Sequence, residues 1–157
     1  AHSIWAIVDG GDVADIAESI AYNKTGGAGT KGSIEAIYVE SVPRPSGAPF
    51  IINHRIKFDR PNVIQIYIRL TVKRKDPSQE VPVDTIKQML IARNYPIGSD
   101  VIATELYDEV YAAGDTFIPY NLNVSSDGVF YNHIALNLDY GDKPVILEEN
   151  IEIFEII

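Results

Sequence analysis

The stretch Ile64-Gln65-Ile66-Tyr67-Ile68-Arg69-Leu70-Thr71-Val72-Lys73 decides the fold. Its even-numbered positions are all aliphatic, whereas its odd-numbered positions are polar or amphipathic. Because successive side chains of a strand point to opposite faces, this alternation predicts a long strand with one buried face. Pro61 has no N–H to donate to a β-ladder, so it marks the corner at which the strand begins. We expect the other elements to extend this sheet or to cover its aliphatic face.

The segments before this strand predict the order β-α-β-β. A strand over residues 3–8 leads through a Gly-Gly turn to a helix that Asp12 is suited to cap. The apolar residues of this helix recur at helical spacing, which is typical of a helix packed on a sheet. A glycine-rich loop over residues 25–32 then leads to two strands, at residues 33–42 and 50–58.

The segments after it predict the order β-α-α-β and a β-rich C-terminal tail. Pro82 suits the first turn of one helix. A second helix is predicted to carry Ile102 on its apolar stripe and to be capped by Ser99 or Asp100. Asp127-Gly128 is a strong signal for a hairpin turn. The predicted tail strands cover residues 117–124, 130–140 and 145–154.

The fold class that follows is α+β, with mixed or antiparallel sheets and helices packed on one face. A chain of 157 residues is long enough for one domain or two small ones. We expect two subdomains: a β-α-β-β subdomain at residues 1–60 and a β-α-α-β subdomain with the β-rich tail at residues 61–157.

Composition and charge exclude several classes of function. The chain has 13 Lys and Arg against 22 Asp and Glu, a net charge of -9 that disfavours nucleic acid as a partner. It lacks a long apolar run, so we expect no membrane span. It has no cysteine, which excludes disulfides and thiolate metal sites. The N-terminus lacks the basic region of a signal peptide, so a processed end or a cut in a longer protein is expected.

Few residues suggest catalytic chemistry. The glycine-rich loop opens a strand rather than a helix, which disfavours a phosphate-binding loop. Asp9 and Asp12 offer carboxylates to a cation, and with His54 they define one alternative, a small metal-assisted hydrolase. A strand-to-helix turn with a cap explains the same two aspartates, and His54 and His133 fall in predicted strands. We therefore expect a protein that is not an enzyme and that has no metal or cofactor.

Aromatic residues give a second set of candidates. Tyrosine combines apolar area with a polar tip and is favoured in interfaces. The predicted interface residues are Trp5, Tyr67, Arg69, Tyr107 and Tyr111. Another alternative uses the same aromatic rings as stacking surfaces of a carbohydrate- or peptide-binding module.

Several segments resemble, in order, the phage baseplate J-like family, the wedge proteins of contractile-tail baseplates. They are Val8-Asp9-Gly10-Gly11-Asp12, Ile16-Ala17-Glu18-Ser19-Ile20, Gly29-Thr30-Lys31-Gly32, Phe58-Asp59-Arg60-Pro61, the central strand, and Ile97-Gly98-Ser99-Asp100-Val101 with its helix. The resemblance spans about residues 4–112, and the tail after Phe117 departs from it.

The resemblance implies a structural role in the virion of a bacteriophage or in a phage-like particle. Family members are longer, so this chain would be a C-terminal portion. Copies would form a homodimer or higher oligomer, contact other baseplate proteins and join wedges into a ring. Assembly would take place in the bacterial cytoplasm. No catalytic residue is carried over from the family.

Overall fold

The computed structural model describes residues 2–156. Ala1, in the first predicted subdomain, and Ile157, in the second, lie outside the described residues. The α+β prediction is confirmed: three α-helices accompany nine strands in that range, in parallel, antiparallel and mixed sheets. The chain divides into two compact units, residues 1–61 and 62–157. None of the helices in the described range is long and apolar enough to cross a membrane.

Unit 1 contains two small sheets and one helix. Strand β1 (Ser3–Trp5) pairs in parallel with β2 (Gly29–Lys31). Strands β3 (Ile34–Val42) and β4 (Phe50–Phe58) form a long antiparallel ribbon. Helix α1 (Val13–Asn23) packs against this ribbon.

The predicted cap of α1 is confirmed, because the Asp12 carboxylate accepts a hydrogen bond from the Ala14 backbone N–H at 2.8 Å. Two predictions for this unit were wrong. The first strand ends at Trp5 instead of continuing to residue 8, and only Ile7 pairs further, in an isolated bridge with Asp59. The glycine-rich loop contains β2, which depends on a distant partner strand rather than on a local pattern.

Unit 2 is organised around β5 (Asn62–Arg74), which begins directly after Pro61 as predicted. It lies between β7 (Phe117–Ser125), to which it is antiparallel, and β9 (Asp142–Ile156), to which it is parallel. Helices α2 (Val83–Ala92) and α3 (Tyr107–Ala112) contribute to the same hydrophobic core.

The predicted alternation of β5 is confirmed. Its even-numbered side chains from position 66 to 72 are fully buried, while Arg69 and Lys73 are exposed. The buried side chains share one cluster with Ile86 and Leu90 of α2 and with Val110 of α3. These two helices of unit 2 therefore cover one face of the sheet, and neither of them lies on its opposite face, here called the outer face.

The predicted start of the second helix of unit 2 was wrong. Ile102 belongs to a short strand, β6 (Val101–Ile102), and a 3₁₀ turn precedes α3. Ser99 donates its hydroxyl to the Pro96 carbonyl, and Asp100 accepts from the Leu138 backbone N–H, so neither side chain caps the helix.

The predicted strand at residues 130–140 was also wrong. Only β8 (Ala135–Leu136), paired with β6, and an isolated bridge at Asn132 are extended there. The predicted reversal at Asp127-Gly128 is present, because Val124 and Asn132 exchange two backbone hydrogen bonds across it. Within this turn the carboxylate of Asp127 accepts from the backbone N–H groups of Val129 and Phe130, and the residues directly after Asn132 do not continue the ladder.

Candidate interaction surfaces

The corner after β4 is held by the carboxylate of Asp59. It accepts hydrogen bonds from the Ser33 hydroxyl at 2.5 Å, from the Ser33 backbone N–H at 2.7 Å and from the Trp5 indole at 2.6 Å. These bonds, led by that of the Ser33 hydroxyl, lower the pKa of Asp59 below its ordinary value. Trp5 is thereby held in one orientation, with Lys31 Nζ 5.1 Å from the ring centroid.

The Asp9–Asp12 turn is bound by Arg60. The guanidinium donates to the carbonyl oxygens of Val8 at 3.1 Å, of Gly11 at 2.8 Å and of Gly10. Positive φ values of 68° and 77° at the two glycines direct the chain through this turn. A cationic side chain therefore interacts with the turn in which the alternative hypothesis places a metal ion.

His54 lies on the helix-facing side of the β3–β4 ribbon. Its Nε2 is 2.8 Å from a Glu40 carboxylate oxygen, and its ring stacks on Tyr38 with 5.9 Å between centroids. The Tyr38 hydroxyl donates to that of Tyr22 at 2.7 Å, and this hydrogen bond raises the pKa of Tyr38 to about 12. These contacts make His54 part of the packing between ribbon and helix.

The opposite side of the ribbon carries three exposed apolar side chains among polar and charged ones such as Asn53 and Arg55. Ile37, Val39 and Ile51 lie on this side, and Ile37 and Val39 are 62% and 54% exposed. We call these three residues the ribbon face. A two-stranded ribbon has little stability by itself, and exposed apolar surface of this kind is typical of a contact site.

One end of the outer face of unit 2 is covered by the chain's own residues. Arg69 forms an ion pair with Glu152 at 2.6 Å, which raises the pKa of Arg69, and its guanidinium lies 4.0 Å from the Tyr131 ring centroid. The Tyr67 ring packs beside Gly128 of the Asp127 turn. The predicted interface residues Tyr67 and Arg69 thus lie on the same face of the sheet, where Tyr67 packs against this turn and Arg69 stays exposed.

The other end of the outer face is uncovered. Thr71 pairs with Phe154, and Lys73 pairs with Ile118 on one side and with Ile156 on the other. Tyr120, the extra residue at the β5–β7 bulge, lies beside them and is 71% exposed. We call Lys73 and its apolar neighbours the outer patch: Lys73, Ile118, Tyr120, Phe154 and Ile156.

The tyrosines of α3 differ in exposure. Tyr107 packs against the core, whereas Tyr111 is 58% exposed, and their ring centroids are 6.4 Å apart. Nearby, Arg93 pairs with both Glu105 and Glu109 at 2.6 Å. Trp5 belongs to unit 1 and these tyrosines to unit 2, so the five predicted interface residues do not form one cluster within either unit.

Sequence reasoning missed the outer patch and the ribbon face. The signal was present in β7 and β9, where apolar residues occupy both strand phases: Phe117-Ile118 and Ile153-Phe154. Two consecutive apolar residues of a strand lie on opposite faces of the sheet. If one of them faces the core, the other is left exposed unless another element or a partner covers it.

Comparison with known proteins adds no assignment: the sequence matches no known family, and no curated protein has significant similarity to it. Among residues 2–156, no group of three or more His, Asp or Glu side chains is arranged to hold a metal ion.

Proposed function

We propose that this protein is a structural component of the baseplate of a phage or phage-like contractile tail. It acts by self-association and by contacts with other baseplate proteins. The observation that carries the proposal is the apolar and aromatic surface left open on the sheets of both units, in the ribbon face and the outer patch. Burying such surface between protein copies is the main source of free energy in stable assemblies.

The assignment to a baseplate depends on the resemblance of the motifs. The unit 1 motif residues have shape-determining contacts: Gly32 lies against the backbone of Phe58, Asp59 binds Ser33 and Trp5, and Arg60 binds the turn before α1. Motifs far apart in sequence thus meet at one corner, which supports their use as a single structural signature.

The location of the protein in purified tail particles tests this proposal. Mass spectrometry of the tails and labelling in electron micrographs are expected to find the chain in a ring at the distal end. Its absence from particles would overturn the proposal. Ile37→Asp, on the ribbon face, is expected to lower incorporation, whereas Gln88→Asp, on the exposed side of α2, is the matched control.

The two alternatives stay predictions without a specific observation in their favour. A carbohydrate- or peptide-binding module needs several accessible ring faces, and of the rings in question Lys31 lies over Trp5, Tyr67 packs beside Gly128 and Tyr111 is exposed. A metal-assisted hydrolase needs the aspartate turn for a cation, yet Asp12 caps α1 and Arg60 binds the turn. A glycan array and metal titration would test them.

A further inference from the structure

The end of β5 in unit 2 concentrates positive charge in a chain whose net charge is -9. Lys73, Arg74 and Lys75 follow one another, and the Arg74 guanidinium is paired with Glu155 at 2.6 Å. No carboxylate among residues 2–156 forms an ion pair with Lys73 or Lys75, and both side chains are exposed. Two ammonium groups are therefore available to an acidic partner.

Apolar surface adjoins these charges. A hollow at this end of the sheet is lined by Lys73, Arg74, Lys75, Pro77, Glu155 and Ile156. The Glu155 carboxylate in this lining is paired with Arg74, and the rest of the outer patch adjoins Lys73 and Ile156. A partner that fits must bring negative charge to the ammonium groups and an apolar or aromatic side chain to the hollow. A purely acidic partner would leave the apolar surface in water and would forgo the favourable free energy of burying it.

Helix α3 of the same protein carries this combination. Asp108 and Tyr111 are one turn apart and both exposed. The neighbouring carboxylates of Glu105 and Glu109 are already paired with Arg93, whereas Asp108 forms no ion pair with any residue from 2 to 156. Because α3 packs on the core face of the sheet and the outer patch lies on the opposite face, the two surfaces point away from each other.

We propose that the outer patch of one copy binds the Asp108–Tyr111 surface of α3 on a second copy. This inference rests on the proposed function and deepens it by naming the partner and both surfaces. The contact joins two different surfaces, so each bound copy still offers one free surface to the next copy. Such a head-to-tail contact produces a closed ring or an open filament, depending on the rotation between copies.

Two charge reversals test the contact in sedimentation velocity experiments on the full chain. Lys73→Glu reverses the charge of the outer patch, and Asp108→Lys reverses the charge of the Asp108–Tyr111 surface. Each variant alone is expected to associate at least about tenfold more weakly than the original protein, because the contact would bring like charges together. Lys87→Glu, a reversal on α2 outside both surfaces, is the matched control and is expected to associate normally.

Mixing the two variants separates this contact from a symmetric one. The intact Asp108 of one variant meets the intact Lys73 of the other, and the two reversed positions also carry opposite charges, so the mixture is expected to regain the association of the original protein. A mixture that stays monomeric, or an Asp108→Lys variant that self-associates like the original protein, would overturn the proposal. So would an original protein that stays monomeric up to about 1 mM, where even weak contacts are populated.

Circular dichroism of each variant verifies that its fold is retained. The result is independent of the location test: a chain absent from tail particles would overturn the baseplate proposal, whereas the mixing experiment reports on the contact alone.

Discussion

At the scale of single residues, the close approach of Gly32 to β4 is the strictest requirement in unit 1. A Cβ added at Gly32 would overlap the backbone carbonyl of Phe58 and come within 2.5 Å of its Cα. We expect Gly32→Ala to destabilise unit 1 by roughly 2–4 kcal/mol, since backbone atoms must move to admit the methyl group. Chemical denaturation followed by Trp5 fluorescence measures this change.

Gly26 in the same loop provides the control for this substitution. A Cβ there meets no atom within 4 Å, and its φ is not in the left-handed region. Gly26→Ala is therefore expected to leave stability unchanged or to raise it slightly. Equal losses from the two substitutions would contradict the importance of the contact between Gly32 and Phe58.

The carboxylate of Asp59, at the same corner, is expected to make the stability of unit 1 depend on pH. Its pKa is lower in the folded chain, chiefly because the Ser33 hydroxyl donates to its carboxylate. As the pH falls, this carboxylate is therefore protonated first in the unfolded chain, where the pKa of an aspartate is about 3.9. The stabilisation is complete above that pH and is lost as the pH falls through the folded-state pKa.

Fluorescence-detected unfolding across acidic pH tests this dependence. The acid-induced loss of stability in unit 1 is expected to be smaller in Asp59→Asn than in the original protein. Glu18→Gln, which removes a carboxylate from the exposed side of α1, is the control and is expected to keep the original profile. An unchanged profile in Asp59→Asn would show that this carboxylate is not the group responsible.

At the scale of elements, the two faces of β5 lead us to expect different losses of stability from substitutions at neighbouring positions. Leu70 is fully buried against the helices, so Leu70→Ala is expected to destabilise unit 2 by about 2–5 kcal/mol through lost burial and a cavity. Thr71 lies on the outer face, and Thr71→Ala is expected to change stability by about 0.5 kcal/mol or less. Urea unfolding followed by circular dichroism compares them; similar losses would contradict the assignment of faces.

Local sequence patterns explain why part of the fold was predictable. The alternation in β5, the Asp12 cap and the apolar stripe of α2 are local patterns, and each produced the expected element. β2 is three residues long and forms through its pairing with β1. Such pairing depends on residues far apart in the sequence, which propensity does not encode.

Errors in the tail have a similar origin. Residues 130–140 have strand-like composition, but the Asp127 carboxylate binds the backbone N–H groups of Val129 and Phe130 where this segment begins, and these bonds compete with a β-ladder. Of the predicted interface tyrosines, Tyr111 is exposed whereas Tyr67 packs beside Gly128, and their role in an interface stays a prediction. The outer patch was missed because its residues come from three strands whose order in the sheet is set by non-local pairing.

At the scale of the whole molecule, the two units differ in the size of their cores. Unit 2 has one cluster of seventeen buried residues, all between positions 66 and 151. In unit 1 the buried apolar residues are Ile16, Ala17, Ile56 and Phe58. A unit of about 60 residues buries a smaller share of its surface than a larger one and is correspondingly less stable.

This difference predicts that the units unfold in two steps, unit 1 first. Trp5 is the only tryptophan, so its fluorescence reports on unit 1, whereas far-UV circular dichroism reports on both units. In one urea titration of the full chain, the fluorescence midpoint is expected at lower urea than the midpoint of the last step in the dichroism signal. Leu70→Ala should shift only the later step, because that residue belongs to unit 2. Coincident transitions that Leu70→Ala shifts together would instead mean that the units unfold as one cooperative structure.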